Sequence, residues 1–198
     1  MHGTNDNGCV GFTRAQLESF RNAEVPDMVG PDLRLLFVGI NPGLWTAATQ
    51  TPFAHPGNRF YPALAMAGII PRLPSFAAGL SDADRQGFLD AGIGISNLVK
   101  RATVRADELT VEELRAGAAR LALDVARWKP VVVAVVGLTA YRQGFGRSKA
   151  RAGKQPENLA ESQLWVVPNP SGLNAHDTIS SLAQAYAEPA RAAGILTH

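Results

Sequence analysis

The residue types with the strongest intrinsic chemistry are thinly spread in this sequence. A single thiol, Cys9, forms no intrachain disulfide, supplies no four-thiolate iron–sulfur cluster and builds no cysteine zinc site. The histidines, His2, His55, His176 and His198, are scattered and show no HExxH spacing, which argues against a metalloenzyme. Asp82, Asp84 and Asp90 read as helix-surface carboxylates rather than catalytic ones. Two segments stand out instead, Gly39-Ile40-Asn41-Pro42-Gly43 and Pro168-Asn169-Pro170-Ser171-Gly172. Neither is GxGxxG or GxxxxGK[ST], so neither is a dinucleotide or Walker fingerprint. On local chemistry alone, Asn, Pro and Gly are first of all turn formers.

The elements around these segments decide whether they are more than turns. The apolar run Leu33–Ile40 lacks strict alternation and suits a strand buried on both faces, as does Val131–Gly137. Shorter strands are expected over Ile93–Val99 and Leu164–Val167. Helices are expected over Arg14–Asn22, over the NRFYPALAMAG segment with Asn58 as its cap, and from Ser81 to near Gly92. Thr110 and Glu113 have capping-box spacing and open the best helix, running to Trp128 with apolar Leu114, Ala118, Leu121 and Val125. A short helix from Thr139 and a last one over Thr178–Ala193 complete the pattern. The stretches between Asn41 and Gly57, and between Arg147 and Lys154, read as loops.

Strands alternating with helices imply right-handed crossovers and a mainly parallel sheet covered on both faces. In such sheets functional residues collect outside the carboxyl ends of the strands, where both Asn-Pro segments fall. The 198 residues, 46% hydrophobic, suit one compact unit: a tail and short helix over residues 1–30, then a single domain over residues 31–198. A formal net charge of +2 neither announces nor excludes a nucleic-acid partner, so any DNA contact must come from local placement. Arg147, Lys149, Arg151 and Lys154 form the densest basic cluster, read as a solvated face or as a track for a DNA backbone. The first residues lack a signal-peptide pattern and no apolar stretch reaches bilayer length, so a soluble, reduced, cytoplasmic protein without membrane partners is expected.

Four separated segments in one order carry a resemblance: LLFVGINPGL, PFAHPGNRFY, GIGISNLVKRAT and NPSGL. Together they resemble the mismatch-specific uracil-DNA glycosylase and thymine-DNA glycosylase family, over roughly Leu33–Ala193. The resemblance implies a three-layer α/β/α sandwich with a mainly parallel central sheet. It implies hydrolysis of the N-glycosidic bond of uracil, or related damaged pyrimidines, opposite guanine in duplex DNA, with no metal or organic cofactor. A monomer associated with the nucleoid through its substrate is the expected form.

Roles follow from the same resemblance. Asn41 matches the catalytic asparagine, whose amide oxygen holds a water at the anomeric carbon rather than acting as a strong base. Phe53 aligns with the aromatic on which the flipped base stacks, and the Ile40 and Phe53 N–H groups would polarise the base carbonyls. Asn97 would read the uracil N3–H and O4 edge, and Thr46 lies on the pocket rim or is a surface threonine. Leu173 matches the wedge that fills the gap left by the flipped nucleotide, within a loop of Asn169, Ser171, Gly172 and Asn174 facing the opposite strand. This loop lacks the Arg that bacterial relatives often place after the wedge, leaving Asn174 or His176 as substitutes. Arg59 reads as a phosphate contact or a packing residue, and His55 and Asn58 as structural. A lesion or abasic-site binder without catalysis, and a Rossmann-like enzyme acting on a free nucleotide, are the competing readings. The intact Asn41 disfavours the first, and the missing phosphate fingerprint disfavours the second.

Overall fold

The computed structural model describes residues 11–197. The tail expected over Met1–Val10, with His2 and Cys9, and the terminal His198 lie outside the described residues. β1 (Leu35–Gly39) is buried along its whole length as an interior strand of a five-stranded sheet. β2 (Ile93–Asn97) and β3 (Val132–Val136) pair with it in parallel on either side. β5 (Ser162–Val167) runs parallel to β3, and β4 (Gly153–Leu159) closes that edge antiparallel to β5, giving the order β2-β1-β3-β5-β4.

The period of two along a strand sorts the apolar run into two cores. Leu35 and Phe37, with Val132 and Ala134, face α3 (Phe60–Met66), α4 (Asp82–Asp90) and α7 (Ile179–Ala192) through Phe60, Leu64, Phe88, Leu182 and Tyr186. Leu36 and Val38, with Val133 and Val135, face α5 (Val111–Trp128) and α6 (Leu138–Gly144) through Leu114, Leu121, Val125 and Tyr141. Each such fully buried side chain contributes about 1.5–3 kcal/mol relative to exposure. The α/β/α layering read from the sequence is therefore the observed one.

α5 begins as its residues predict. The Thr110 hydroxyl accepts from Glu113 N–H at 3.1 Å, and the Glu113 carboxylate accepts from Thr110 N–H at 2.9 Å. Lys129, at φ 54°, and Pro130 end it. Across the sheet, Arg120 of α5 donates to the backbone carbonyls of Asn97 and Leu98 at 2.7 and 2.9 Å, fixing the carboxyl end of β2.

Four expectations need correction. The segment from Asn41 to Gly57 contains α2 (Leu44–Thr49), whose cap, Gly43, has no side chain to announce it. α2 is held by burial of Leu44 and Ala47 against Val25 and Ala102. The segment from Arg147 to Lys154 runs into β4, a polar edge strand paired on one side only and interrupted by Pro156, so it shows no apolar alternation. α1 (Arg14–Glu18) stops short of the expected Asn22, which adopts φ 63°. α3 starts at Phe60 rather than just after Asn58, although Asn58 still accepts from Phe60 N–H at 2.9 Å.

Both sheet edges are covered or broken. Met28 exchanges two backbone hydrogen bonds with Ile95, at 2.9 and 2.8 Å, along the outer side of β2. On the other edge the β4–β5 register shifts between Lys154 and Asn158. No described helix is long and apolar enough to cross a membrane.

Candidate active-site cavity

The carboxyl ends of β1, β2, β3 and β5 open into one cavity of about 520 Å³. Asn41, Asn97, Val136 and Asn169 bring those four strand ends to its wall, the position expected for a site in an open parallel sheet. Of the residues singled out from sequence, Ile40, Asn41, Thr46, Phe53, Asn97, Asn169, Ser171, Gly172 and Leu173 all line it. Asn174 does not. Its amide nitrogen donates to Asn169 O at 2.9 Å and to the Asp177 carboxylate at 2.8 Å, and its oxygen accepts from His176 N–H at 3.1 Å. Both ends of that amide are thus spent inside its own loop.

The Asn41 amide is oriented by its neighbours. Its Nδ2 donates to Thr103 Oγ1 at 2.7 Å and to the carbonyls of Arg101 and Pro42, each at 3.1 Å. Thr103 gives its own proton to Arg105 O at 2.7 Å, so it presents a lone pair to Asn41. All three partners are acceptors, which fixes the NH2 group against them and leaves Oδ1 for the cavity.

Asn97 lines the same cavity, is 7% exposed, and its side-chain amide has no hydrogen-bond partner among the described residues. The β1 residue beside it is Gly39. A Cβ there would lie 2.5 Å from Asn97 Oδ1 and 3.2 Å from the Phe53 ring, so only glycine lets both side chains close on the strand end. Phe53 sits at φ 56°, a strained conformation for an aromatic residue, and its ring stacks on Phe60 with centroids 4.1 Å apart and planes at 23°. Tyr61 holds this turn by donating to Pro52 O at 2.7 Å. Burial pushes the ionisation of Tyr61 well up, so it remains a donor. Neither Ile40 N–H nor Phe53 N–H has a backbone partner among the described residues. Thr46 is buried in the first turn of α2, which corrects its reading as a surface threonine.

The rim is apolar and basic. Leu173 is 85% exposed at the tip of the loop after β5, and Val104 is 52% exposed beside Arg105. Tyr186 of α7 anchors that loop by donating to Pro168 O at 2.9 Å, its ionisation raised by burial. Arg59 packs behind the loop rather than facing solvent. In the basic segment, Arg147 is paired with Glu157 at 2.6 Å. Lys149, Arg151 and Lys154 are exposed and enter no ion pair among the described residues. Because Gly153 pairs with Val166 near the end of β5, this segment opens at the same end of the sheet as the Leu173 loop.

Among the described residues no Asp, Glu, Lys or Cys lines the cavity, whereas Asn41, Asn58, Asn97 and Asn169 do, together with His55 and Arg105. Among the described residues no cluster of three His, Cys, Asp or Glu gathers as a metal site. The described wall therefore offers amide and backbone groups that hold and polarise rather than a carboxylate base, and its one imidazole, His55, accepts from Gly57 N–H through Nδ1 at 3.1 Å. Sequence reasoning gave no site role to Gly39, Thr103, Arg105 or Trp45; Thr103 is the last residue of the GIGISNLVKRAT segment, but nothing local marks its contact with Asn41.

Comparison with known proteins bears on the family and the fold. The profile described as the Uracil DNA glycosylase superfamily matches residues 26–189. A solution NMR structure from Methanosarcina acetivorans, provisionally described as a uracil DNA glycosylase, superposes with a TM-score of 0.56 at 16% identity. The match covers 84% of this chain and 96% of that one, and at this identity it concerns the fold.

Proposed function

Because the chain belongs to the uracil DNA glycosylase superfamily, we propose that it is a monofunctional glycosylase of the mismatch-specific and thymine-DNA glycosylase branch. It hydrolyses the N-glycosidic bond of uracil, and of related damaged pyrimidines, opposite guanine in duplex DNA. The observation that carries this reading is the oriented Asn41 amide in a cavity wall that holds no carboxylate among the described residues. Oδ1 holds a water at C1′ as the glycosidic bond breaks, and the bonding pair leaves with the pyrimidine as its anion. The unpartnered Ile40 and Phe53 N–H groups stabilise that anion. The water oxygen then bonds to C1′ and releases its proton to solvent, leaving an abasic site. Phe53 stacks on the extruded base, Asn97 pairs with its N3–H and O4 edge, and Thr46 narrows the pocket. Leu173 enters the vacated stack, with Asn169, Ser171 and Gly172 beside the opposite strand.

Single-turnover excision from labelled duplexes carrying U:G, U:A, T:G or ethenocytosine:G, followed by alkaline cleavage, tests the reading. Asn41→Ala is expected to lose on the order of 100-fold or more in excision while binding the U:G duplex as before, because it removes a preorganised group and no DNA contact. Near-normal excision by this variant would sink the assignment.

A further inference from the structure

Arg59 carries five N–H donors in a rigid plane. Half-buried behind the Leu173 loop, it donates through Nε to Pro170 O at 3.4 Å. Through Nη2 it reaches Ser171 O at 2.5 Å and Asn174 O at 2.8 Å, and through Nη1 it reaches Asp177 O. Its backbone N–H also donates to Pro170 O, at 3.0 Å. No carboxylate pairs with it among the described residues, so its charge is shared among four loop carbonyls.

A trans peptide holds each carbonyl antiparallel to the next residue's N–H, so carbonyls drawn inward turn amides outward. The amides that follow the four carbonyls belong to Ser171, Gly172, Ala175 and Thr178. Ser171 N–H is taken by Asn169 Oδ1 and Thr178 N–H by Ser181 Oγ. Gly172 and Ala175 are exposed, and their N–H groups have no backbone acceptor among the described residues. They flank Leu173 on either side. The loop also rests directly on the preceding turn, where a Cβ at Gly172 would lie 2.9 Å from Gly57 O.

We propose that Arg59 is the positioning residue of this loop: its guanidinium gathers the loop carbonyls, holds Leu173 outward and aims the Gly172 and Ala175 amides at the acceptors of a duplex. The inference rests on the reading of Leu173 as the inserted side chain. A lysine keeps the charge but not the fork, and one ammonium cannot span four carbonyls.

The test compares Arg59→Lys, Leu173→Ala and the double variant in single-turnover uracil excision from a U:G duplex and from a single strand. Amide hydrogen exchange over residues 170–178 is read alongside. Arg59→Lys is expected to slow duplex excision about tenfold to a hundredfold, as misplaced groups do, and to leave the single strand within about threefold. Adding Leu173→Ala should cost little more, because both changes act through one loop. Exchange should accelerate over the loop and not in α3 or α7. Wild-type exchange together with wild-type duplex rates would overturn the proposal, as would equal losses on both substrates with exchange faster throughout α3 and α7. If Leu173→Ala excised the duplex normally while Arg59→Lys loosened the loop, the insertion reading would fail and the hold of Arg59 on the loop would stand.

Discussion

Asn41 presents its oxygen only if its amide cannot turn over, and Thr103 is the partner that decides this. Replacing Thr103 with the isosteric valine removes the closest acceptor, at 2.7 Å, and leaves Nδ2 with two carbonyls at 3.1 Å. Thr103→Val is expected to slow single-turnover uracil excision by roughly tenfold with unchanged duplex affinity, and Thr103→Ser, which keeps the hydroxyl, is expected to restore it. A variant that bound DNA poorly but excised at the wild-type rate would show that Thr103 serves the surface instead. Asn41, Phe53 and Asn97 were singled out through the family resemblance of their segments, since on local chemistry alone they read as turn, loop and strand residues. Thr103 ends one of those same segments, but its role was not legible, since it lies 62 positions from the amide it holds. Gly39 was not legible as a site residue either, because its contribution is the absence of a Cβ.

At the scale of the element, α5 is tied to the site through its first turn. Arg101 donates to Glu113 at 2.6 and 3.1 Å, and the carbonyl of the same Arg101 accepts from Asn41. Arg101, and then the Thr110 backbone N–H, hold the Glu113 carboxyl down to about 2. Its folded value is thus depressed, so the stability it contributes is complete above the ordinary carboxylate range and is lost as pH falls from there toward about 2. Glu113→Gln is expected to be less stable than wild type at neutral pH, with the gap closing between about pH 5 and pH 2 in urea unfolding. Thr110→Ala should cost about 1 kcal/mol in the same measurement. The α5 capping box was readable because its signal is local: Thr, Glu and an apolar face follow one another in sequence. α2 and β4 were not. The first lacks a side-chain cap at Gly43, and the second is specified by pairing with β5 rather than by its own residues Lys154, Gln155 and Pro156.

For the whole molecule, a net charge of +2 hides an uneven surface. Lys149, Arg151 and Lys154 stand without ion pairs, among the described residues, at the end of the sheet where the cavity opens. Neutralising all three to glutamine is expected to weaken binding to every duplex alike, whether mismatched or not. The log–log salt slope should flatten by about 0.9 for each phosphate that is no longer neutralised. Excision at saturating enzyme should not change. A weakening confined to the U:G duplex would mean that the cluster reads the lesion rather than the backbone. The same sheet that collects the site at one end also has two margins, and these bear on how copies of the protein meet. Met28 occupies the outer hydrogen-bonding groups of β2 around Ile95, while Pro156 and the shifted register interrupt β4. Neither margin offers an unbroken row of donors and acceptors to a foreign strand, so edge-to-edge growth into aggregates finds no template on this surface.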